Sequence, residues 1–229
     1  MSIKRMVLTG AAMLTMVGAV TTAGTVFASA ATPECGNACI SIFSKVLGTP
    51  TQPNFVEDIL GGVARVGQPV ILQQVGGSDT DPSEDIIPHG GSVSAFYAAG
   101  MVSAEVNSHY GSLRAVQQEY APLGVPSGLC VGLASVAYQD EPLTLQPCSV
   151  PGTTVWILNP ALSQAPGYFP IINASTPEFS HPFAMDLRQD AIASDHRRLE
   201  IHARRLQFLT DEKTLPESQL WSAHFGELK

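Results

Sequence analysis

The sequence predicts an all-β chain assembled from repeated units. Its short apolar runs alternate or are rich in β-branched residues, and Gly, Pro and Asp bound them as turns. One stretch also has an echo further along the chain, and self-similarity at a spacing of about 55 to 70 residues is the mark of a repeat architecture.

The first segment is read as a targeting signal and not as part of the fold. Lys4 and Arg5 precede an apolar, small-residue run from Met6 to Phe27, and Ala28-Ser29-Ala30 supplies a cleavage site. That pattern predicts a secretory signal peptide over residues 1–30 and one domain over 31–229. An uncleaved anchor would use a run of similar length, but the Gly, Ala and Thr content and the cleavage site favour export. Thr-Pro-Glu before Cys35 disfavours a lipoprotein. No later segment reaches the apolar length of a transmembrane helix, so a soluble, extracellular product with no membrane partner is expected.

Setting Lys4 and Arg5 aside moves the formal charge from −8 to −10. An acidic surface disfavours nucleic acid, which needs clustered Lys and Arg. Arg197-Arg198 and Arg204-Arg205 form one basic cluster, and apolar residues and Glu200 interrupt it.

Strands are expected at Cys39–Phe43, Pro69–Leu72, Leu143–Leu145, Thr154–Leu158, Tyr168–Ile172, Leu199–His202 and Gln219–Ser222. Ser92–Val106, with Ala, Met and aromatic residues and no turn signal, can form a short helix inserted in the first repeat. All four cysteines follow the signal segment, and an even number in an oxidising destination points to disulfides. Of the three pairings, Cys35–Cys39 with Cys130–Cys148 is the economical one. A zinc site is the alternative. Cys35 and Cys39 have a permissible spacing for it, but Cys130 and Cys148 lack the close spacing of a structural finger.

The repeat is visible where "GVARVGQPVILQQ" (62–74) aligns with "GLASVAYQDEPLTLQP" (132–147), and a weaker copy starts at Phe183. "GLCVGLA", "LTLQPC" and "TVW", followed by "SQLW" at Ser218–Trp221, resemble a ricin B-type lectin domain. The resemblance implies a β-trefoil of three repeats, at approximately 40–125, 126–180 and 181–229. Trp156 and Trp221 would be core residues, and Cys130–Cys148 would staple one repeat.

In that family a sugar pocket pairs an Asp with a stacking ring and an Asn, since a pyranose has an apolar face and a polar rim. The second repeat has Gly132 and Gln146 at the first two places, and Thr154, two before Trp156, where that family's Gln-any-Trp signature has Gln. The first has residues 59–61 at the acid position, with Asp58 nearby, and Gln73 for the ring. The third offers Asp186, His202 and Ser218 as its carbohydrate-binding set.

Other constellations are weaker. Asp79, Asp81, Glu84 and Asp85 crowd one loop that could take calcium weakly, but a solvated acidic loop explains them better. The six histidines show no zinc-protease spacing, there is no Gly-any-Ser-any-Gly elbow, and no cofactor is implied. Asn173-Ala-Ser175 is a glycosylation sequon.

The expectation is a secreted, noncatalytic glycan-binding protein. Its competitor is a trefoil without sugar pockets that meets an extracellular protein, as a protease inhibitor or a surface-associated structural protein. An extracellular hydrolase ranks last.

Overall fold

The structure, a computed structural model, describes residues 38–49, 52–53, 55–74, 82–188, 199–209 and 214–225. The expected signal peptide (1–30), Cys35, Asp79 and Asp81 lie outside the described residues. Residues 32–229 form one compact unit.

The principal strands fall into three groups of four. The first is β1 (Ile40–Ser44), β2 (Phe55–Ile59), β3 (Val70–Gln74) and β4 (Ile86–Ser92). The second is β5 (Arg114–Tyr120), β6 (Leu129–Gly132), β7 (Thr144–Pro147) and β8 (Trp156–Leu158). The third is β9 (Ile171–Asn173), β10 (Phe183–Leu187), β11 (Leu199–Arg205) and β12 (Trp221–Phe225). A closed threefold has no unique first strand, so the repeats can equally be cut one strand later; the expected bounds 40–125, 126–180 and 181–229 hold five, four and three of these strands.

Antiparallel pairing explains how the groups join. β1 pairs with β12, β4 with β5, and β8 with both β5 and β9. Within each group the second and third strands form a hairpin, and the three hairpins meet one another. Ile71 faces Glu200, Pro69 bridges to Thr144, and Pro142 faces His202.

No group covers its own apolar face, so the core forms only where three inner faces converge. Trp156 and Trp221, both fully buried, lie in that core. Each indole N–H finds a carbonyl on the hairpin of its own repeat. Trp156 Nε1 donates to Val131 O and Trp221 Nε1 to Met185 O, both at 2.8 Å. In the first repeat Ile86 takes the corresponding place at the start of β4.

The segment between β4 and β5 folds as two short helices, α1 (Val93–Ala98) and α2 (Ala104–Tyr110). Ser92 and Ser103 cap them, each hydroxyl accepting an N–H from three residues on. Val93, Val102, Val106 and Tyr110 turn inward onto a second apolar cluster outside the barrel core, with Ala115 and Ile157. The insertion therefore packs onto the barrel.

Candidate functional site

Hairpin register fixes which residues are equivalent. Asp58 faces Ile71, Gly132 faces Thr144 and Asp186 faces His202. Two places earlier, Val56 faces Gln73, Cys130 faces Gln146 and Ala184 faces Arg204. The acid position of the first repeat is therefore Asp58, which corrects the placement at 59–61. The sequence match had paired Gly62 with Gly132 by placing three extra residues in the turn of the second copy. The register instead gives the two hairpins nearly equal spans, Asp58 to Ile71 and Gly132 to Thr144, with the first one residue longer in its turn.

The first and third repeats then share a feature that sequence reasoning missed. Ser83 Oγ donates to Asp58 Oδ2 at 2.6 Å, and Ser218 makes the equivalent hydrogen bond to Asp186. Both serines lie three residues before the strand residue that faces the core, Ile86 or Trp221. That common spacing was the available signal. The second repeat has Thr153 at this place and Gly132 opposite. A Cβ on Gly132 would lie 2.9 Å from both Thr153 O and Thr154 Cγ2, so the backbone fills the space an acid would need.

Asp186, His202 and Ser218 are brought together, and all three are buried. Gln219 also bonds to the Asp186 carboxyl. Burial pushes that carboxyl above the usual carboxylate range, and the Arg204 guanidinium with the Gln219 and Ser218 hydrogen bonds only partly offsets it. Asp186 Oδ1 has no hydrogen-bond partner among the described residues and lies 3.9 Å from Arg204 Nη1. His202 turns its Nδ1 to Asp140 O at 2.8 Å and its Nε2 to Glu200 Oε2 at 3.0 Å. A carbonyl only accepts, so Nδ1 carries the shared proton.

Arg204, partly exposed, stands where the second repeat has Gln146. Its Nε lies 2.8 Å from Asp140 Oδ1. Asp140 belongs to the hairpin loop of the second repeat, so the third-repeat site is walled by its neighbour. At the corresponding wall of the second repeat, the first supplies Gly67, whose N–H reaches Leu145 O just as the Asp140 N–H reaches Ala203 O. Both have left-handed backbones, φ 80° at Gly67 and φ 64° at Asp140.

The remaining motifs settle into structural roles. Cys130 and Cys148 are joined, across a separation of 18 residues. A loop of that length stabilises by about 3 kcal/mol through the unfolded chain. Cys39 is disulfide-bonded, while Cys35 lies outside the described residues. Asn173 of the sequon is fully buried, donating to Thr153 O and accepting from Ser175. Attaching a glycan to its Nδ2 would require this buried site to open. Asp85 of the acidic loop accepts the Leu123 N–H at 2.6 Å. No group of three or more His, Cys, Asp and Glu among the described residues is placed to hold a metal ion.

Four hydrogen-bonded strands in each of three repeats, closed by β1 on β12, decide the architecture. The fold is a β-trefoil. The solved structures it resembles include the designed threefold-symmetric protein ThreeFoil, at TM-score 0.51 and 11% identity, covering 82% of this chain and 98% of that one. They also include the C-half of the earthworm R-type lectin in complex with GalNAc, at TM-score 0.45 and 14% identity, covering 82% and 98%. A third is the Rhizoctonia solani agglutinin, at TM-score 0.44 and 17% identity, covering 83% and 96%. No family model matches the sequence, and no curated protein matches it.

Proposed function

We propose that this trefoil is an exported, noncatalytic carbohydrate-binding protein whose site lies in the third repeat. One observation carries the reading. Only there among the three acid positions does a buried carboxyl with an unsatisfied oxygen, Asp186, stand beside an arginine that reaches the surface. A carboxyl accepts from adjacent sugar hydroxyls while a guanidinium donates to their oxygens, so the pair suits a diol. Ser218 and Gln219 hold the carboxyl in place, and His202 serves as a positioning residue through its bond to the Asp140 carbonyl. Export rests on the signal-like first thirty residues and on the disulfide Cys130–Cys148.

The burial of Asp186 favours a second reading, in which the carboxyl is purely structural and the trefoil meets an extracellular protein. A glycan array separates the two, with the wild-type protein beside Asp186→Asn, which keeps the shape and removes the charge. Binding that is lost in Asp186→Asn supports the first reading. Binding equal in both proteins removes Asp186 from the site. A folded wild type that binds no glycan leaves the interaction module.

A further inference from the structure

The third-repeat site has a carboxyl and a guanidinium but no aromatic ring on its own strand, since Arg204 occupies the place. A pyranose needs a flat apolar partner as well as polar ones. The hairpin loop of the second repeat is built to hold one. At one end Ala137, itself buried, donates its N–H to Ser175 Oγ at 3.0 Å. At the other, Asp140 donates to Ala203 O, accepts from His202 Nδ1 and pairs with Arg204, while Gln139 Oε1 accepts the Arg205 N–H. Between these anchors stands Tyr138, 52% exposed. A large ring is thus presented to solvent from a loop clamped on both sides, so ordering it on a ligand costs little entropy.

The backbone adds an independent observation. Asp140 holds φ 64°, a conformation that glycine adopts at the equivalent Gly67 and that few other residues adopt. A strained position kept by a charged residue, bonded to the site arginine, points to a role for this loop beyond turning the chain.

We propose that Tyr138 is the stacking residue of the third-repeat site, supplied by the neighbouring repeat, and that the ligand is a neutral pyranose with adjacent hydroxyls. The proposal rests on the sugar-binding reading above. Neutrality follows from local charge balance: Arg204 lies between Asp140 and Asp186, and Arg205 pairs with Glu178. Arg188 in turn stands beside Glu200, so among the described residues no cation is left over for an acidic sugar at this wall.

The test is titration of the full chain with methyl glycosides of galactose, glucose, mannose, N-acetylglucosamine, N-acetylgalactosamine and glucuronate. Binding is followed by saturation transfer from the aromatic protons. Tyr138→Ala should weaken a neutral glycoside about five- to tenfold, Tyr138→Phe should retain it, and Asp186→Asn should abolish it. Both tyrosine variants should melt with the wild type, since the ring is half exposed. If Asp186→Asn abolishes binding and Tyr138→Ala leaves it unchanged, the site stands and the ring assignment is overturned. A glucuronide bound above every neutral sugar overturns the ligand class. Wild-type protein that binds none of the six, or Asp186→Asn that binds as well as wild type, overturns the third-repeat reading and this proposal with it.

Discussion

The second and third repeats are the same hairpin with opposite contents. Both place a tryptophan in the core, and both tie its indole to the hairpin strand in front of it. Behind the hairpin they diverge. The second repeat has Gly132 against Thr153, with the Cys130–Cys148 bridge alongside, and no carboxyl at the acid position. The third has Asp186, Arg204 and the borrowed Asp140, and Ala184 where the second has Cys130. Covalent closure in one repeat thus corresponds to a polar network in the other. The bridge closes its hairpin on itself, from β6 to the residue after β7, whereas the Arg204–Asp140 pair ties the third hairpin to its neighbour.

The shared part should break equally. Trp156→Ala and Trp221→Ala each remove a fully buried indole, and each should cost about 3–5 kcal/mol in denaturant unfolding. A much smaller loss in either would mean that one repeat can collapse around the cavity, and the equivalence of the two cores would fail.

The first repeat sharpens the contrast from the core side. Glu57 lies where the other hairpins carry Val131 and Met185, and it is buried with the equally buried Gln118, whose amide reaches both carboxyl oxygens at 2.7 and 2.9 Å. Burial lifts its pKa from 4.5 to about 8. Between those values the folded protein holds a proton that the unfolded chain has lost. The associated stability is therefore full below about pH 4.5 and is lost as pH rises through about 8. The slope should approach roughly 1.4 kcal/mol per pH unit inside the window. Unfolding curves from pH 5 to 8 should show it in the wild type, and Glu57→Met, copying Met185, should flatten it. An unchanged slope in the variant would assign the effect to other buried carboxyls, such as Glu141.

How much of this could be read from the chain follows the same division. Alternation and turn residues marked seven runs that overlap strands of the structure, while β2, β4 and β5 were not marked. The two tryptophans and the close cysteine pair in the second copy were legible because each is local. The repeat alignment slipped at Gly62 because matching the two glycines forced a three-residue gap between hairpins of nearly equal span. Asp58 to Ile71, Gly132 to Thr144 and Asp186 to His202 span thirteen, twelve and sixteen positions. The Asp140–Arg204 contact joins two repeats across 64 positions, and no local pattern announces it. His202 was named for the ring position, but the register puts Arg204 there, at the place of Gln146, and the buried setting of His202 depends on a loop far away in sequence.

Grafting tests whether the second repeat was emptied or closed. If its acid were simply missing, Gly132→Asp would restore the acid position. The Cβ alone already falls 2.9 Å from Thr153 O, a backbone atom that cannot turn aside. Gly132→Asp should therefore cost about 1–3 kcal/mol of stability and create no sugar binding. A stable variant that binds would show that the second repeat differs from the third only by its side chain.

Asp140→Gly has the smallest expected effect and is the most discriminating. Glycine at φ 64° relieves strain by roughly 0.5–1 kcal/mol, while its freedom in the unfolded chain takes part of that back. The lost pair with Arg204 is partly exposed on both sides and is worth about 0.2–1 kcal/mol at most. These contributions nearly cancel, so thermal unfolding should move little in either direction. Glycoside affinity should not be so indifferent, because Asp140 orients Arg204 and carries the loop with Tyr138. A drop in affinity at unchanged stability would mark the charged wall as the feature that separates the third repeat from the second. Unchanged affinity would reduce Asp140 to a turn residue, equivalent in role to Gly67.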